Sequence, residues 1–499
     1  MGKLRRLASD TTYYGISHIA GRAIYFLLLP FYTTSGILTA ADFGEVGDIY
    51  AKIAFLNIFY LFGMETTYFR FSSKKGINES DVFSNAQTNI ILASVTISGS
   101  LILFDTEIVN YFKLPGKEIL LQLAAMVMLV DALVAMPFAK LRYQQKAKTF
   151  ATYKLIIIGL NVFFNVFFLF VCRKLFYAGD GQLWHRFISI IFIPHFKAEY
   201  VLISNLLANL FYFILLRKQL AAFRFSINSK LLKEMLLYAY PLVITGLAGM
   251  INEMFSRGFF IKLLPTNFYP NMSSKEALGV LSASFRLAAL MTLATQGFRY
   301  AVEPFFFSQS EEKDSKITFA KVFYYFVLAG CIAILIISMN LDILKIIFLR
   351  QEIYWQGIYL VPFLMLSGLL LGIYFNFSIW FKLTDKTYYG ILIGGTGSIL
   401  TVVLNVLFIP RFGYNAAAII PIIIYLIMAT MTLIFGKKHY PIPYDLIKVS
   451  AYILTTMLLI WACWHIDFDS LILNQIFKNT IVVLFLLGVF LRERKALRL

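Results

Sequence analysis

Runs of about 20 mainly apolar residues, separated by short polar stretches, recur from one end of the 499-residue chain to the other. Windows of about 19 residues predict membrane spans near 11–33, 47–69, 86–104, 119–139, 154–172, 200–216 and 235–264. Further spans fall near 279–307, 319–340, 357–381, 388–409, 415–435, 446–465 and 471–491. The pattern predicts an all-α polytopic membrane protein of about fourteen transmembrane helices, because helices satisfy their own backbone groups in hydrocarbon.

Composition supports lipid as the main solvent. Apolar and aromatic residues make up 59% of the chain and charged residues 14%, far from the roughly quarter-charged balance of soluble domains. Cys172, Cys331 and Cys463 each stand alone in an apolar segment, without paired spacing, and read as packing residues. The five histidines include no His-Glu-x-x-His, and no Gly-x-x-x-x-Gly-Lys-Ser/Thr loop occurs, so neither a metal nor a nucleotide cofactor is expected. Lys3, Arg5 and Arg6 precede a long first run with no evident small-residue cleavage site, so that run is expected to remain as a helix.

Charge supplies an orientation. With fourteen spans, 28 of the 45 Lys and Arg fall in the termini and every second loop, against 12 in the opposite loops. The positive-inside rule then puts both termini on the cytoplasmic side. Most of the net charge of +18 is therefore topogenic, and no nucleic-acid partner is expected.

The chain also carries a faint internal repeat. Arg22 and Pro30 are matched by Arg257 and Pro265, 235 positions later; Tyr50-Ala51-Lys52-Ile53-Ala54 aligns with Ser284-Phe285-Arg286-Leu287-Ala288, and Gly63 with Gly297, at an offset of 234. Six spans per copy give copies of the same orientation. The expected organisation is two parallel six-helix lobes, 1–217 and 218–440, followed by a C-terminal helix pair, 441–499.

Cations inside spans are the candidate chemistry. A central Arg or Lys costs about 2.5–3.5 kcal/mol on insertion scales, so Arg22, Lys52, Arg257, Arg286 and Arg299 should face protein or a watery cavity. Arg22 and Arg257 lie eight residues before a proline; Lys52 lies eight after Gly44, and Arg286 seven after Gly279. At 1.5 Å per residue, this places all four about 10–12 Å below the outer boundary of the hydrocarbon core. Arg22, Lys52, Arg257 and Arg286 are the substrate-binding candidates, suited to an anionic group. Asp48 and Glu253, each four residues earlier, offer Lys52 and Arg257 an alternative: pairing within the helix. Accessory or ion-coupling candidates are His18, Asp131, Glu253, Arg299 and Glu303, of which Asp131 is an isolated membrane acid.

Several short motifs resemble the Wzx-like polysaccharide flippases of the multidrug/oligosaccharidyl-lipid/polysaccharide (MOP) exporter superfamily. They are Leu7-Ala8-Ser9-Asp10-Thr11, Gly21-Arg22, Pro30-Phe31-Tyr32-Thr33, Phe43-Gly44, Gly63-Met64-Glu65-Thr66 and Phe69-Arg70-Phe71. Pro137-Phe138-Ala139-Lys140-Leu141-Arg142, Asn161 to Asn165, Tyr238 to Pro241 and Ser282 to Arg286 continue the resemblance over nearly the whole chain. It implies two lobes around a central cavity, and passage of an undecaprenyl-diphosphate-linked oligosaccharide to the outer leaflet beside polysaccharide polymerase machinery. It also implies that the last helix pair forms a groove for the lipid tail, as in lipid II flippases. One departure is Ser256, where the family often has Asp before the arginine of the seventh span.

Two alternatives remain open at this stage. A multidrug antiporter of the same superfamily usually depends on a carboxylate within the first span, and this chain has none after Asp10 there. A membrane glycan polymerase or ligase would be an enzyme with a sizeable external loop. The longest external connection, 173–199, contains His185, Arg186 and His195 without an evident partner set.

Overall fold

The computed structural model describes residues 26, 28–74, 76–178, 183–309, 312–384, 386–466, 468 and 470–493. Among these residues the chain is all α, and thirteen helices are long and apolar enough to cross a membrane. Most of the expected span 11–33, with His18 and Arg22, lies outside the described residues.

The helices that position the candidate site are α1 (Ala40–Leu61), α2 (Met64–Ser72), α3 (Glu79–Leu103), α4 (Glu118–Tyr143), α5 (Ala147–Val166), α6 (Ala198–Leu215) and α7 (Ser229–Gly258). They continue as α8 (Ser274–Gln309), α9 (Ser315–Met339), α10 (Leu341–Phe348), α11 (Val361–Phe377), α12 (Tyr388–Phe412), α13 (Tyr414–His439), α14 (Leu446–Trp464) and α15 (Leu471–Glu493). By packing, the chain forms two units: residues 1–282 with 398–417, and residues 283–397 with 418–499.

In the first unit α4 packs against α1, α3 and α6. One buried cluster joins Tyr60, Met64 and Tyr68 to Phe83, Met128 and Met136, and a second joins Phe138 and Phe150 to Tyr212. Helix α1 ends where Phe62 and Gly63 both adopt left-handed backbone, with φ of 44° and 66°, and α2 restarts at Met64. Such a conformation suits glycine and strains a bulky residue such as Phe62.

In the second unit α9 packs against α11, α14 and α15. The most apolar window of α15 is only 11% buried by protein, and Ile472, Leu473, Ile476, Leu484, Leu487 and Phe490 are exposed. In a membrane helix such a face meets lipid. Polar contacts fix this helix: Lys478 Nζ lies 2.6 Å from Asp342 Oδ2, and Gln475 Nε2 donates to Asn340 Oδ1 at 2.6 Å. Tyr324 and Tyr452 both donate to the buried carboxylate of Glu493, at 2.6 and 3.2 Å.

Candidate functional site

Helices α1 and α8 begin with the same device. The Thr39 hydroxyl accepts from the Asp42 N–H at 3.2 Å, and the Thr39 N–H donates to Asp42 Oδ2 at 2.8 Å. Likewise Ser273 Oγ accepts from the Glu276 N–H at 3.2 Å, and its own N–H donates to Glu276 Oε2 at 2.8 Å. These reciprocal capping boxes sit 234 positions apart, the offset that also relates Lys52 to Arg286.

The caps start the helices before Gly44 and Gly279, so Lys52 and Arg286 both lie twelve residues in, about 18 Å along the axis from the capped start. Arg257 lies in the last turn of α7, where a β-carbon on neighbouring Gly258 would be 3.6 Å from the Ala51 Cβ. Within the first unit, Lys52 and Arg257 therefore share one level.

Their partners differ. The half-buried Lys52 ammonium is held by the buried Asp48 carboxylate in an i,i+4 pair and lies 4.4 Å from the Phe112 ring centroid. It closes one wall of an otherwise apolar cavity of about 280 Å³, lined also by Phe55, Leu101, Met128 and Phe255. The Arg257 guanidinium donates to the Glu253 backbone carbonyl at 3.4 Å and contacts Met254 Sδ at 2.8 Å. Arg286 is half-buried in the second unit, and Arg299 there stacks over Phe375, 4.3 Å from its centroid. The Glu303 side chain, like His18 and Arg22, lies outside what the structure describes.

Charged groups that the sequence reading passed over gather where α1 and α8 begin. The buried carboxylate of Glu45 meets Lys275 at 2.6 Å and Lys117 at 2.8 Å, and Lys117 reaches Glu199 at 3.5 Å. Burial alone would push the Lys117 ammonium down, but its hydrogen bond to Glu45 and the charges of Glu45, Glu199 and Asp42 outweigh it and hold the pKa above the ordinary lysine value. The backbones touch here as well. A β-carbon on Gly44 would collide with the Lys275 carbonyl, and one on Gly279 with the Ala40 carbonyl. Only glycine lets two helices approach so closely.

At the opposite end of these spans, motifs scattered along the sequence meet. Glu65 and Arg142 pair at 2.6 Å, Lys140 approaches Glu79 at 3.5 Å, and the Phe71 and Tyr238 rings lie 6.1 Å apart. Back at the end where α1 begins, Tyr32 packs against Phe43 and donates to Asn165 Oδ1 at 2.8 Å, and Asn165 in turn donates to Asn161 Oδ1 at 2.8 Å.

The fold so assembled is shared with solved lipid II flippase and MATE transporter structures. A family model described as polysaccharide biosynthesis protein matches residues 35–193. The lipid II flippase MurJ, in an inward closed conformation, is similar with a TM-score of 0.70 and 14% identity over 97% of this chain and 99% of MurJ. An inward-facing multidrug resistance MATE family transporter of the MOP superfamily gives a TM-score of 0.57 and 14% identity, over 87% of this chain and 99% of that one. A MATE in complex with MaD5 gives 0.57 and 15%, over 89% and 96%. No curated protein matches the chain by sequence.

Proposed function

We propose that this chain is a flippase that carries undecaprenyl-diphosphate-linked oligosaccharide repeat units from the inner to the outer leaflet of the bacterial cytoplasmic membrane, for polysaccharide biosynthesis. The observation that carries this reading is the end-to-end likeness to a lipid II flippase: MurJ covers 97% of the chain, whereas the two MATE structures above cover 87% and 89% of it. The family model over 35–193 supports a polysaccharide substrate. In this reading both termini are cytoplasmic, the protein acts by alternating access without catalysing a covalent step, and the diphosphate binds the cations of the spans. A headgroup with several charges faces a prohibitive desolvation cost in hydrocarbon, and guanidinium groups in a wet cavity replace part of its hydration by bidentate hydrogen bonds. The isoprenoid tail stays in lipid, beside α14 and α15.

The test is complementation. Expression in a strain lacking its polysaccharide flippase should restore surface polysaccharide and clear the lipid-linked repeat units that accumulate inside. The fold likeness to MATE transporters makes drug export the competing outcome. Resistance to cationic drugs without restored polysaccharide would replace the flippase reading by an antiporter.

A further inference from the structure

The first unit contains a half-buried acid and a half-buried base that lie near each other without pairing. Asp131 stands in the middle of α4, and Lys154 lies seven residues into α5, about 10 Å along the helix. By sequence Lys154 reads as a loop-edge charge, but the helix starts at Ala147 and carries it inward. Its ammonium rests on two rings, 4.3 Å from the Phe138 centroid and 5.1 Å from that of Tyr212. Among the described residues no carboxylate lies within ion-pairing distance of it, although Asp131 is the carboxylate acting on it first, with Glu65 and Arg142 beyond. Asp131 Oδ1 instead accepts from Asn209 Nδ2 at 2.8 Å, and Asn209 continues through Asn205 to the Tyr50 hydroxyl, at 2.9 Å for each link.

We propose that Asp131 is a proton-binding site and that Lys154 is its alternating partner, pairing with the carboxylate when it is ionised and resting on Phe138 and Tyr212 when it is protonated. Uptake is a plain acid–base step: the carboxylate takes a proton from hydronium, water leaves, and Lys154 keeps its own proton while its side chain moves. The structure shows the parted arrangement, with the cation held by ring faces. The ligand is a proton rather than a metal cation because one carboxylate is the whole anionic charge of the cluster, one of its oxygens already accepts an amide N–H, and the ammonium would repel a second cation. The groups facing Asp131 are Lys154 from α5 and Asn209 and Tyr212 from α6, with Tyr50 of α1 reached through Asn205. A carboxylate that loses a cationic partner on protonation gives the unit two arrangements that a proton gradient can bias. Proton binding stands by itself; its use to drive export rests on the flippase reading.

The test uses the full chain in proteoliposomes. In pH-difference infrared spectra, wild type should show a carboxylic-acid carbonyl band that disappears as pH rises, and Asp131→Asn should lack it. Lys154→Gln should move the midpoint by about one pH unit or more, and Lys154→Arg should bring it back toward wild type. A band unchanged in Asp131→Asn, or a midpoint indifferent to Lys154→Gln in protein that remains monodisperse, overturns the site. In parallel, flipping of a fluorescent undecaprenyl-diphosphate-linked disaccharide is followed with and without an imposed pH gradient. A titrating Asp131 with flipping that ignores the gradient overturns the coupling. A titrating Asp131 without flipping leaves the proton site standing and rejects the flippase reading.

Discussion

Lys275, in the first turn of α8, lies 2.6 Å from Glu45, in the second turn of α1, so helices far apart in sequence are fastened at one end of the membrane. Lys117 approaches the other oxygen of Glu45 at 2.8 Å. Any conformation that parts α1 from α8 at this end must break the first contact, while Lys117 can keep Glu45 neutralised. Lys275→Met should therefore cost less than the roughly 3–5 kcal/mol of stranding a buried charge outright, and thermal unfolding in detergent would measure it. Lys275→Glu should lose transport, and Glu45→Lys with Lys275→Glu should recover part of it. Because the pKa of Lys117 is raised, its contribution is complete below the ordinary lysine value and is lost only as pH rises through the raised one. The fastening should hold across physiological pH.

Glycine sets the distance between the same helices. Gly279→Val should force α1 and α8 apart, because the new β-carbon meets the Ala40 backbone rather than a side chain able to rotate. Cysteines placed at Thr39 and Ser273, in an otherwise Cys-free chain, should react faster with a membrane-impermeant thiol reagent in the Val variant. Equal rates would show that the contact does not close this end.

The ion pair of Lys52 and Asp48 is open to a double-mutant cycle. Lys52→Met alone leaves the Asp48 side chain, 2% exposed, without its partner, and should cost about 3–5 kcal/mol. Asp48→Asn with Lys52→Met should cost much less. If the double variant also transports normally, Lys52 serves the fold. If it folds well but does not transport, the ammonium has a second task beside the cavity it lines.

Hydropathy windows placed the spans well, because burial in lipid acts on every residue of a segment and survives averaging over a window. The capping boxes, Thr39-x-x-Asp42 and Ser273-x-x-Glu276, are local patterns that the sequence reading passed over, and their offset matches the repeat seen at Lys52 and Arg286. The contacts that turn residues into a site were not legible. Glu65 and Arg142 stand in two motifs read separately, and only the packing of α2 on α4 joins them. Lys154 stands at the edge of the apolar run near 154–172, whereas the helix begins seven residues earlier. Glu45 and Lys275 gave no signal, because pairing over 230 positions has no period.

Asp342 makes the stability of the last helix pair sensitive to acid. Burial pushes its carboxyl up, but hydrogen bonds and charge from Lys345 and Lys478 outweigh it and hold the pKa below the ordinary carboxylate value. The stabilisation is thus present above that ordinary value and is lost as pH falls through the depressed one. Melting temperature in detergent should fall across that acid window in wild type. In Asp342→Asn it should start lower and lack this part of the acid dependence. An unchanged acid limb would show that Lys478 fastens α15 without Asp342.

Arg286 tests the cationic site most directly. It occupies the place in α8 that Lys52 occupies in α1, twelve residues past the capped start. In lipid-facing surroundings it would cost about 2.5–3.5 kcal/mol, and in the structure it is half-buried. Arg286→Ala should abolish complementation of a flippase-deficient strain while membrane abundance stays near wild type. Arg286→Lys should restore part of the activity, since an ammonium supplies the charge but not the planar fork that grips phosphate oxygens at two points. Arg286→Glu should be worse than Ala, because it repels the diphosphate as well as removing its partner. Immunoblots of membranes alongside surface polysaccharide assays separate loss of protein from loss of transport. If the Ala variant exports normally at normal abundance, Arg286 is a structural cation, and the diphosphate must be held elsewhere.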